Sequence, residues 1–289
     1  MRAANAEGGP EALANPAVSS HAGVGWRAEL ALRFVRHGER TVLVSRRHQG
    51  PLVVQRPFYP EGDGVCHTYL LHPPAGIVGG DDLATTLELD TGAHALMTTP
   101  AGTRWYFSHG VNARVRQRAS LAEGTTLEWL PQETLLFDGA HARFATRIDL
   151  TGGARFCGWE ILGLGRPACG ERFAHGRFDF RFDIFRDGYP LLLERLRGGS
   201  GGLVGWRDHN ACATFIATPA DTAARDCART ICEASPRALC GATLIGDVLV
   251  VRGLAEHCEP LKNAFSRLWS AVRPSLLGRA AEPPRIWRT

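Results

Sequence analysis

A segment that combines a histidine, two prolines, three glycines and two acids is the part of this sequence best equipped for chemistry. It lies between two apolar runs and contains His72, Pro73, Pro74, Gly76, Gly79, Gly80, Asp81 and Asp82. Proline fixes the backbone angle φ, and glycine permits positive φ or a close approach of two backbones, so the segment is built as a turn. Imidazole and carboxylate are ligands that divalent transition metals accept. One hypothesis is therefore a metal-dependent hydrolase that uses His72, Asp81 and Asp82.

The glycines of this segment do not have the spacing of a phosphate-binding loop. Neither G-x-x-x-x-G-K-[ST] nor G-x-G-x-x-G occurs. The apolar run that follows, 83–89, predicts a strand, whereas anion binding needs the N-terminus of a helix. No His-x-x-x-His pair is present either. The hypothesis of an enzyme therefore depends on the turn alone.

Acids on predicted strands form a second set of candidates. Glu128 and Glu160 have apolar neighbours on both sides. Each faces solvent or points inward, and an inward carboxylate must pair with arginine or line a wet channel, because an unpaired buried charge is costly. Arg195 beside Glu194 and Arg166 near Glu160 are candidate partners. If every inward acid is paired with arginine, a binding module unrelated to metal is the better hypothesis.

The composition does not favour binding to nucleic acid or lipid. The 289 residues include 33 basic side chains, of which only Lys262 is lysine, against 29 acidic ones, and the net charge is +4. No block of five basic residues occurs, so nucleic-acid binding has little support. No run of eighteen apolar residues occurs, so a transmembrane helix is not expected.

The first 22 residues differ in composition from the rest of the chain. They are rich in Ala, Gly, Pro, Asn and Ser and lack the apolar centre of a secretion signal, so residues 1–22 are predicted to be a disordered leader. Residues 23–289 are predicted to form a single β-rich domain, and a cytoplasmic location is expected. The eight cysteines lack zinc-site spacing and are expected to be reduced thiols.

Short alternating strands are predicted along most of the chain, beginning with a hairpin over 26–34 and 41–45. Glycine turns between strands recur at Gly92, Gly124 and Gly152. This recurrence favours a mostly β fold in which strands are stacked in a solenoid-like, β-helical arrangement. An ordinary β-sandwich has similar strand spacing and remains open.

Two helices are predicted in the C-terminal part. For the first, Thr218 is the expected N-cap, because a proline and an acid follow it at the first and third helical positions. The second begins near Glu259 and is expected to stop at Pro274. The tail after it is expected to be extended and pinned at Trp287.

The order of several motifs resembles the UreD family of urease accessory proteins. The motifs are Gly50-Pro51-Leu52, Gln55-Arg-Pro-Phe-Tyr-Pro60, Leu71-His-Pro-Pro-Ala-Gly-Ile-Val-Gly-Gly-Asp81, Thr99-Pro100, Leu127-Glu-Trp-Leu-Pro-Gln-Glu133, Gly165-Arg-Pro-Ala-Cys-Gly-Glu171, Leu193-Glu-Arg195 and Pro284-Arg-Ile-Trp287. They extend from Trp26 to the C-terminus. Such a set is far more specific than any single motif.

The resemblance implies a non-enzymatic scaffold or chaperone that acts with UreF and the GTPase UreG to insert nickel into apo-urease. It implies a polar tunnel for nickel, no tightly bound cofactor, and only transient nickel contact, at Asp81 and Glu160. The implied tunnel positions are Asp81, Thr103, Arg104, Glu160, Glu194 and Arg195. Spaced carboxylates suit this role, because they bind a divalent ion weakly enough to release it.

Three residues depart from the family pattern. Ala75 stands where glycine is usual, Arg104 where lysine is usual, and Phe107 where a basic residue is common. The match to the family pattern is therefore weaker around Thr103 to Ser108 than at Asp81.

Overall fold

The computed structural model of the chain describes residues 25–199, 206 and 209–288. The predicted leader lies outside this range. The strands are β1 Arg27–His37, β2 Arg40–Gln49, β3 Val53–Val54, β4 Cys66–Leu71, β5 Gly76–Ile77, β6 Asp82–Leu89, β7 His94–Thr98, β8 Thr103–Trp105, β9 Ala113–Leu121, β10 Thr126–Trp129, β11 Thr134–Leu136, β12 His141–Leu150, β13 Arg155–Leu164, β14 Arg177–Arg186, β15 Tyr189–Gly199, β16 Ala211–Thr218, β17 Leu239–Ile245 and β18 Val248–Ala255. The helices are α1 Thr222–Glu233 and α2 Cys258–Leu277, and 3₁₀ turns occur at Pro167–Cys169 and Arg285–Arg288.

The strands form a β-solenoid of about 4 turns, built from two facing sheets. In the first sheet, β1, β6, β9, β12 and β14 are parallel, and β2 and β15 close its ends in antiparallel fashion. In the second sheet, β4, β7, β10 and β13 are parallel, followed by antiparallel β16, β18 and β17. The stacked, mostly β prediction is confirmed. A sandwich built from antiparallel hairpins is excluded by the parallel pairing.

The recurring glycines are the corners at which the chain passes from the first sheet to the second. Gly92, Gly124 and Gly152 have φ values of 74°, 67° and 50°, in the left-handed region that favours glycine. Successive corners are joined by backbone hydrogen bonds, such as the one from Thr126 N–H to the Ala93 carbonyl at 2.9 Å. The weak repeat in the sequence therefore marks real solenoid corners.

Apolar ladders fill most of the space between the sheets. Leu89, Leu121 and Leu150 lie side by side on consecutive strands of the first sheet, and each is buried. Full burial of such a side chain contributes about 1.5–3 kcal/mol. The interior between the sheets is thus mostly apolar, and polar side chains in it are exceptions.

Helix α2 covers the outer face of the second sheet. Its buried stripe includes Phe265 and Trp269, and Phe265 packs edge-on against Phe215 of β16. The predicted stop at Pro274 is wrong. The helix continues to Leu277, which is buried, and ends at Gly278, whose φ is 69°.

Helix α1 begins later than predicted. Thr218 is not its N-cap, because that residue still belongs to β16 and pairs with Phe156. The N-cap is Asp221, whose carboxylate accepts a hydrogen bond from Ala224 N–H at 2.8 Å.

No helix among the described residues is long and apolar enough to cross a membrane.

The C-terminal tail is pinned at Trp287, as predicted. The indole N–H donates to the hydroxyl of Thr98 at 3.1 Å, and the ring packs against Trp159 and Trp269. The residues around it form a 3₁₀ turn instead of an extended segment. The tail therefore closes the helix-covered side of the second sheet.

Candidate functional site

The turn before β6 is closed by the carboxylate of Asp81. Its Oδ1 accepts a hydrogen bond from Trp26 N–H at 2.8 Å, and its Oδ2 accepts one from Val78 N–H at 2.9 Å. A Cβ at Gly79 would lie 2.8 Å from the backbone oxygen of Ser108, so the turn needs glycine there. Asp81 is buried and lines neither of the two cavities described below. Its contact with nickel stays a prediction.

Ala75 occupies a strained position in the same segment. Its φ is 61°, a left-handed conformation that costs an L-residue about 1–2 kcal/mol. This is the position at which the family resemblance expects glycine. The departure is therefore accommodated by the backbone.

A cavity of about 270 Å³ opens beside the turn. His72, Thr103 and Arg104 contribute polar groups to its wall, which is otherwise mostly apolar. Burial lowers the pKa of His72, and the nearby Asp81 carboxylate offsets this only in part. The cavity wall therefore carries a neutral imidazole at neutral pH.

A row of polar side chains crosses the interior from this cavity. Thr85, Gln117 and Thr146 lie in register on β6, β9 and β12 and point between the sheets. Thr85 and Gln117 line the first cavity, and all three line a smaller void of about 10 Å³. Such a void has room for about one water. We call these three residues the polar row.

The polar row ends at the carboxylate of Glu160. The Thr146 hydroxyl lies 2.7 Å from Glu160 Oε1 and 3.1 Å from the side-chain oxygen of Gln117. Among the described residues, Thr146 is the only hydrogen-bond partner of the Glu160 side chain. Burial raises the pKa of Glu160 to about 8, because one hydroxyl does not replace the lost water.

Glu160 also lines a second cavity, of about 50 Å³, on the far side of the polar row. Glu194, Cys212 and Thr214 contribute to the same wall. Glu194 is held there by an ion pair with Arg252, whose side chain is mostly exposed. The interior thus has one cavity at each end of a continuous polar path.

Four of the residues implied by the family resemblance therefore lie along one path. Thr103 and Arg104 line the first cavity, and Glu160 and Glu194 line the second. Arg195 lies outside it. Its guanidinium binds Asp179 on the outer face of the first sheet, with Nε 2.9 Å from Oδ1.

Both arginine partners suggested for inward acids are wrong. Arg195 cannot pair with Glu194 because successive strand residues point to opposite faces. Arg166 pairs with Glu171, from Nε to Oε2 at 3.0 Å, and not with Glu160.

Sequence reasoning missed the polar row, although a signal for it exists. Thr85 and Gln117 each stand seven residues before a corner glycine, and Thr146 stands six before Gly152. A polar residue at the same place in three consecutive solenoid turns marks a shared interior position. That signal needs the register of the turns, which the sequence indicated only weakly.

A fully buried acid, Glu128, lies beneath α2. Glu128 accepts hydrogen bonds from Trp269 at 2.6 Å, from His94 at 2.7 Å and from Arg273 at 2.9 Å. Arg273 also binds Glu61 at 2.7 Å. Burial alone would raise the pKa of Glu128, but the hydrogen bonds and charges of His94 and Arg273 outweigh it and lower that pKa to about 2.

The ligand set of a hydrolase is not assembled in the described part of the chain. No group of three His, Cys, Asp or Glu side chains there could hold a metal ion. At the turn, both oxygens of Asp81 are taken by backbone N–H groups, and Asp82 pairs with Arg116 at 2.7 Å. A catalytic metal needs about three protein ligands and an open position.

Fold and site together define a β-solenoid protein with a helix-covered face and a polar path through an apolar interior. The UreD urease accessory protein family model matches residues 27–288. The chain therefore belongs to the UreD family of urease accessory proteins, and its role lies in urease maturation.

Curated relatives agree with this assignment over nearly their whole length. The urease accessory protein UreD of Azoarcus sp. (strain BH72) is 47% identical over 274 residues, which cover 92% of this chain and 95% of the relative. The protein of the same name from Pseudomonas putida (strain W619) is 47% identical over 277 residues, which cover 96% and 99%. That of Pseudomonas entomophila (strain L48) is 49% identical over 265 residues, which cover 92% and 95%.

Proposed function

We propose that the chain is a non-enzymatic scaffold that joins UreF and UreG on apo-urease and conducts nickel toward the urease active site. The observation that carries the proposal is the polar row, which leads from the first cavity to the half-buried carboxylate of Glu160 in the wall of the second. Membership of the family supports a place in urease maturation. A cytoplasmic location belongs to the same proposal.

The donors along the path suit an ion in transit. Hydroxyl, amide and carboxylate oxygens bind a divalent ion more weakly than a cage of thiolates and imidazoles does. The side chains of the polar row follow one another across three strands, so no more than a few reach the ion at any point. An ion therefore moves from donor to donor without a deep trap.

Glu160 is the strongest donor on this path. A cation next to a carboxylate favours the ionised form, so arrival of Ni²⁺ displaces the proton that Glu160 holds at neutral pH. The ion then leaves toward the second cavity, whose wall includes the carboxylate of Glu194.

A binding module unrelated to metal fits the structure less well. That hypothesis requires every inward acid to be paired with arginine. Glu128 meets the requirement through Arg273, but Glu160 has only the Thr146 hydroxyl. An interior carboxylate with one hydroxyl partner and a cavity beside it is better explained by a passing cation.

The proposal is tested by expressing urease and the other accessory proteins with and without this chain, and measuring nickel per urease active site. Loss of nickel without the chain is expected, together with copurification of UreF and UreG with it. Equal nickel content in both cases would refute the function. A normal requirement for the chain with no recovery of UreF or UreG would refute the partners only.

A further inference from the structure

The outer face of the first sheet carries a one-sided concentration of positive charge at its centre. The outward positions of β9 and β12 include five arginines but one acid, Asp149. The arginines are Arg114, Arg116, Arg118, Arg143 and Arg147. A chain with a net charge of only +4 has thus placed much of its excess on two neighbouring strands.

The arginines at one end of these strands have carboxylate partners. Arg118 and Arg147 share Asp149, at 3.1 Å and 2.7 Å, and Arg116 binds Asp82. At the other end, Arg114 and Arg143 are adjacent in register. Within the described residues, neither has an ion pair. The acids in register with them on the other side, Asp82 and Asp179, are bound by Arg116 and Arg195 instead.

Arg177 extends this unpaired group onto β14. It is in register with His141 on β12. The pKa of His141 is lowered mainly by burial and, to a smaller extent, by the positive charge of Arg177. No carboxylate in the described part of the chain pairs with Arg177. We call Arg114, Arg143 and Arg177 the basic cluster.

A groove of about 380 Å³ lies beside two members of the basic cluster, Arg143 and Arg177. Arg143, Arg177 and Asn112 line it, and the one acid in its wall, Asp179, is already bound by Arg195 and Arg197. The groove therefore offers guanidinium groups and an amide without a competing free carboxylate.

Two exposed apolar side chains lie in the segment between β8 and β9, which reaches this groove at Asn112. Val111, which precedes Asn112, is 50% exposed, and Phe107 is 57% exposed. The Phe107 ring lies over Gly139, because a Cβ atom added to Gly139 would be 2.0 Å from the ring. The turn that contains Gly139 leads directly into His141, the first residue of β12. Apolar and basic groups thus form one surface.

We propose that this surface binds a carboxylate-rich segment of a partner protein that also carries an apolar side chain. Arginine holds carboxylates through paired hydrogen bonds, and arginine and aromatic residues dominate the binding energy of protein interfaces. On the rest of the face, Asp82 and Asp149 already neutralise the neighbouring arginines, so a continuous phosphate backbone would meet unpaired cations only at the basic cluster. The choice of a protein ligand rests on the proposed role as an assembly scaffold.

The test is a fluorescence anisotropy titration of the purified full chain with two labelled peptides. One contains several glutamates around a phenylalanine and a leucine, and the other has glutamine in place of each glutamate. The glutamate peptide should bind, and R143Q/R177Q should weaken binding by about tenfold or more. The matched control R46Q/R47Q removes the same charge from exposed arginines of β2, at the opposite end of the sheet, and should change affinity less than about twofold.

Three results would overturn the inference: no preference for the glutamate peptide, equal losses in both double variants, or no loss in R143Q/R177Q. A single-stranded oligonucleotide of equal charge that binds more tightly than the peptide, and only when the basic cluster is intact, would also overturn it. Circular dichroism checks that both variants fold, as expected for exposed, unpaired side chains. Because the assay contains no nickel, it can fail while nickel delivery stands, and the reverse also holds.

Discussion

Two carboxylates of the second sheet, the fully buried Glu128 on β10 and the half-buried Glu160 on β13, have opposite environments. Glu128 faces α2 and accepts hydrogen bonds from His94, Trp269 and Arg273, and its pKa is lowered to about 2. Glu160 faces the first sheet and has one hydroxyl partner, and its pKa is raised to about 8. The number and charge of the partners decide the sign of the pKa shift, since burial pushes both upward.

Glu128 serves the structure, whereas Glu160 is left available to bind a ligand. Glu128 has no lone pair to spare, and its neighbours join α2 to the solenoid. Glu160 keeps one oxygen toward a cavity and lacks a cationic partner. An interior acid in that condition lowers stability once ionised, so its presence is better explained by function than by folding.

The largest expected effect is a loss of stability when Glu128 is deprived of its arginine partner. Arg273→Met leaves Glu128 and Glu61 buried without their shared cation, and removal of one partner of a buried pair costs about 3–5 kcal/mol. Urea unfolding measures the loss. Arg267→Met on the same helix removes a hydrogen bond to Ser235 at the surface and should cost less than about 1 kcal/mol. Equal effects of the two variants would mean that the Glu128 cluster does not hold α2.

The next effect tests Glu160 through pH. Its folded pKa of about 8 lies above the ordinary 4.5, so the folded state retains a proton that the unfolded state loses. The contribution of Glu160 to the free energy of unfolding is therefore most favourable below pH 4.5, and it declines as pH rises to about 8. Between about pH 5 and 9 the stability advantage of Glu160→Gln over wild type should grow by about 3 to 4 kcal/mol.

Urea unfolding of both proteins across that range gives the measurement. Glu128 does not interfere, because its depressed pKa places its loss of stability between about pH 4.5 and 2. A constant difference between the two proteins at all pH values would show that water in the cavities keeps the Glu160 pKa near its ordinary value.

A smaller effect is expected at Asp81. Asp81→Ala removes the acceptor of two backbone N–H groups and should cost about 0.5–2 kcal/mol, whereas Asp81→Asn keeps an acceptor and should cost less. Chemical denaturation compares the two. If Asp81→Asn folds like wild type but urease receives less nickel, the charge of Asp81 belongs to the nickel path as well as to the turn.

The smallest effect concerns the strained Ala75. Ala75→Gly relieves a left-handed alanine, which costs about 1–2 kcal/mol, but adds unfolded-state entropy of about 0.5–1 kcal/mol. A net gain of a few tenths to about 1 kcal/mol is expected, read as a higher midpoint of thermal unfolding. A lower midpoint would show that the surrounding turn is adapted to the alanine.

Local patterns in the sequence predicted the architecture well. The alternation over 26–34 and 41–45 gave the first hairpin, and Gly92, Gly124 and Gly152 marked the corners, because such features depend on neighbouring residues. Register and distant partners could not be predicted. The partner of Glu128 is Arg273, 145 residues away, and no local pattern relates the two.

The same limit applies to the candidate site. Glu160 and Glu194 are candidates both as acids on predicted strands and through the family resemblance, and the structure places them on one cavity. The polar row between the cavities depends on the alignment of β6, β9 and β12, which only the paired sheet supplies. Where Pro274 fails to end α2, packing of Leu277 overrides a local rule.

The most direct test of the account is the nickel content of urease matured with Glu160→Gln. The substitution keeps the size of the side chain and its hydrogen bond to Thr146, but it removes the charge that Glu160 can acquire. Glu88→Gln, an exposed acid on the outer face of β6, is the matched control. We predict normal folding and partner binding for both variants, with nickel per active site lowered severalfold by Glu160→Gln alone. Wild-type nickel content with Glu160→Gln would contradict the claim that this carboxylate serves the passage of nickel.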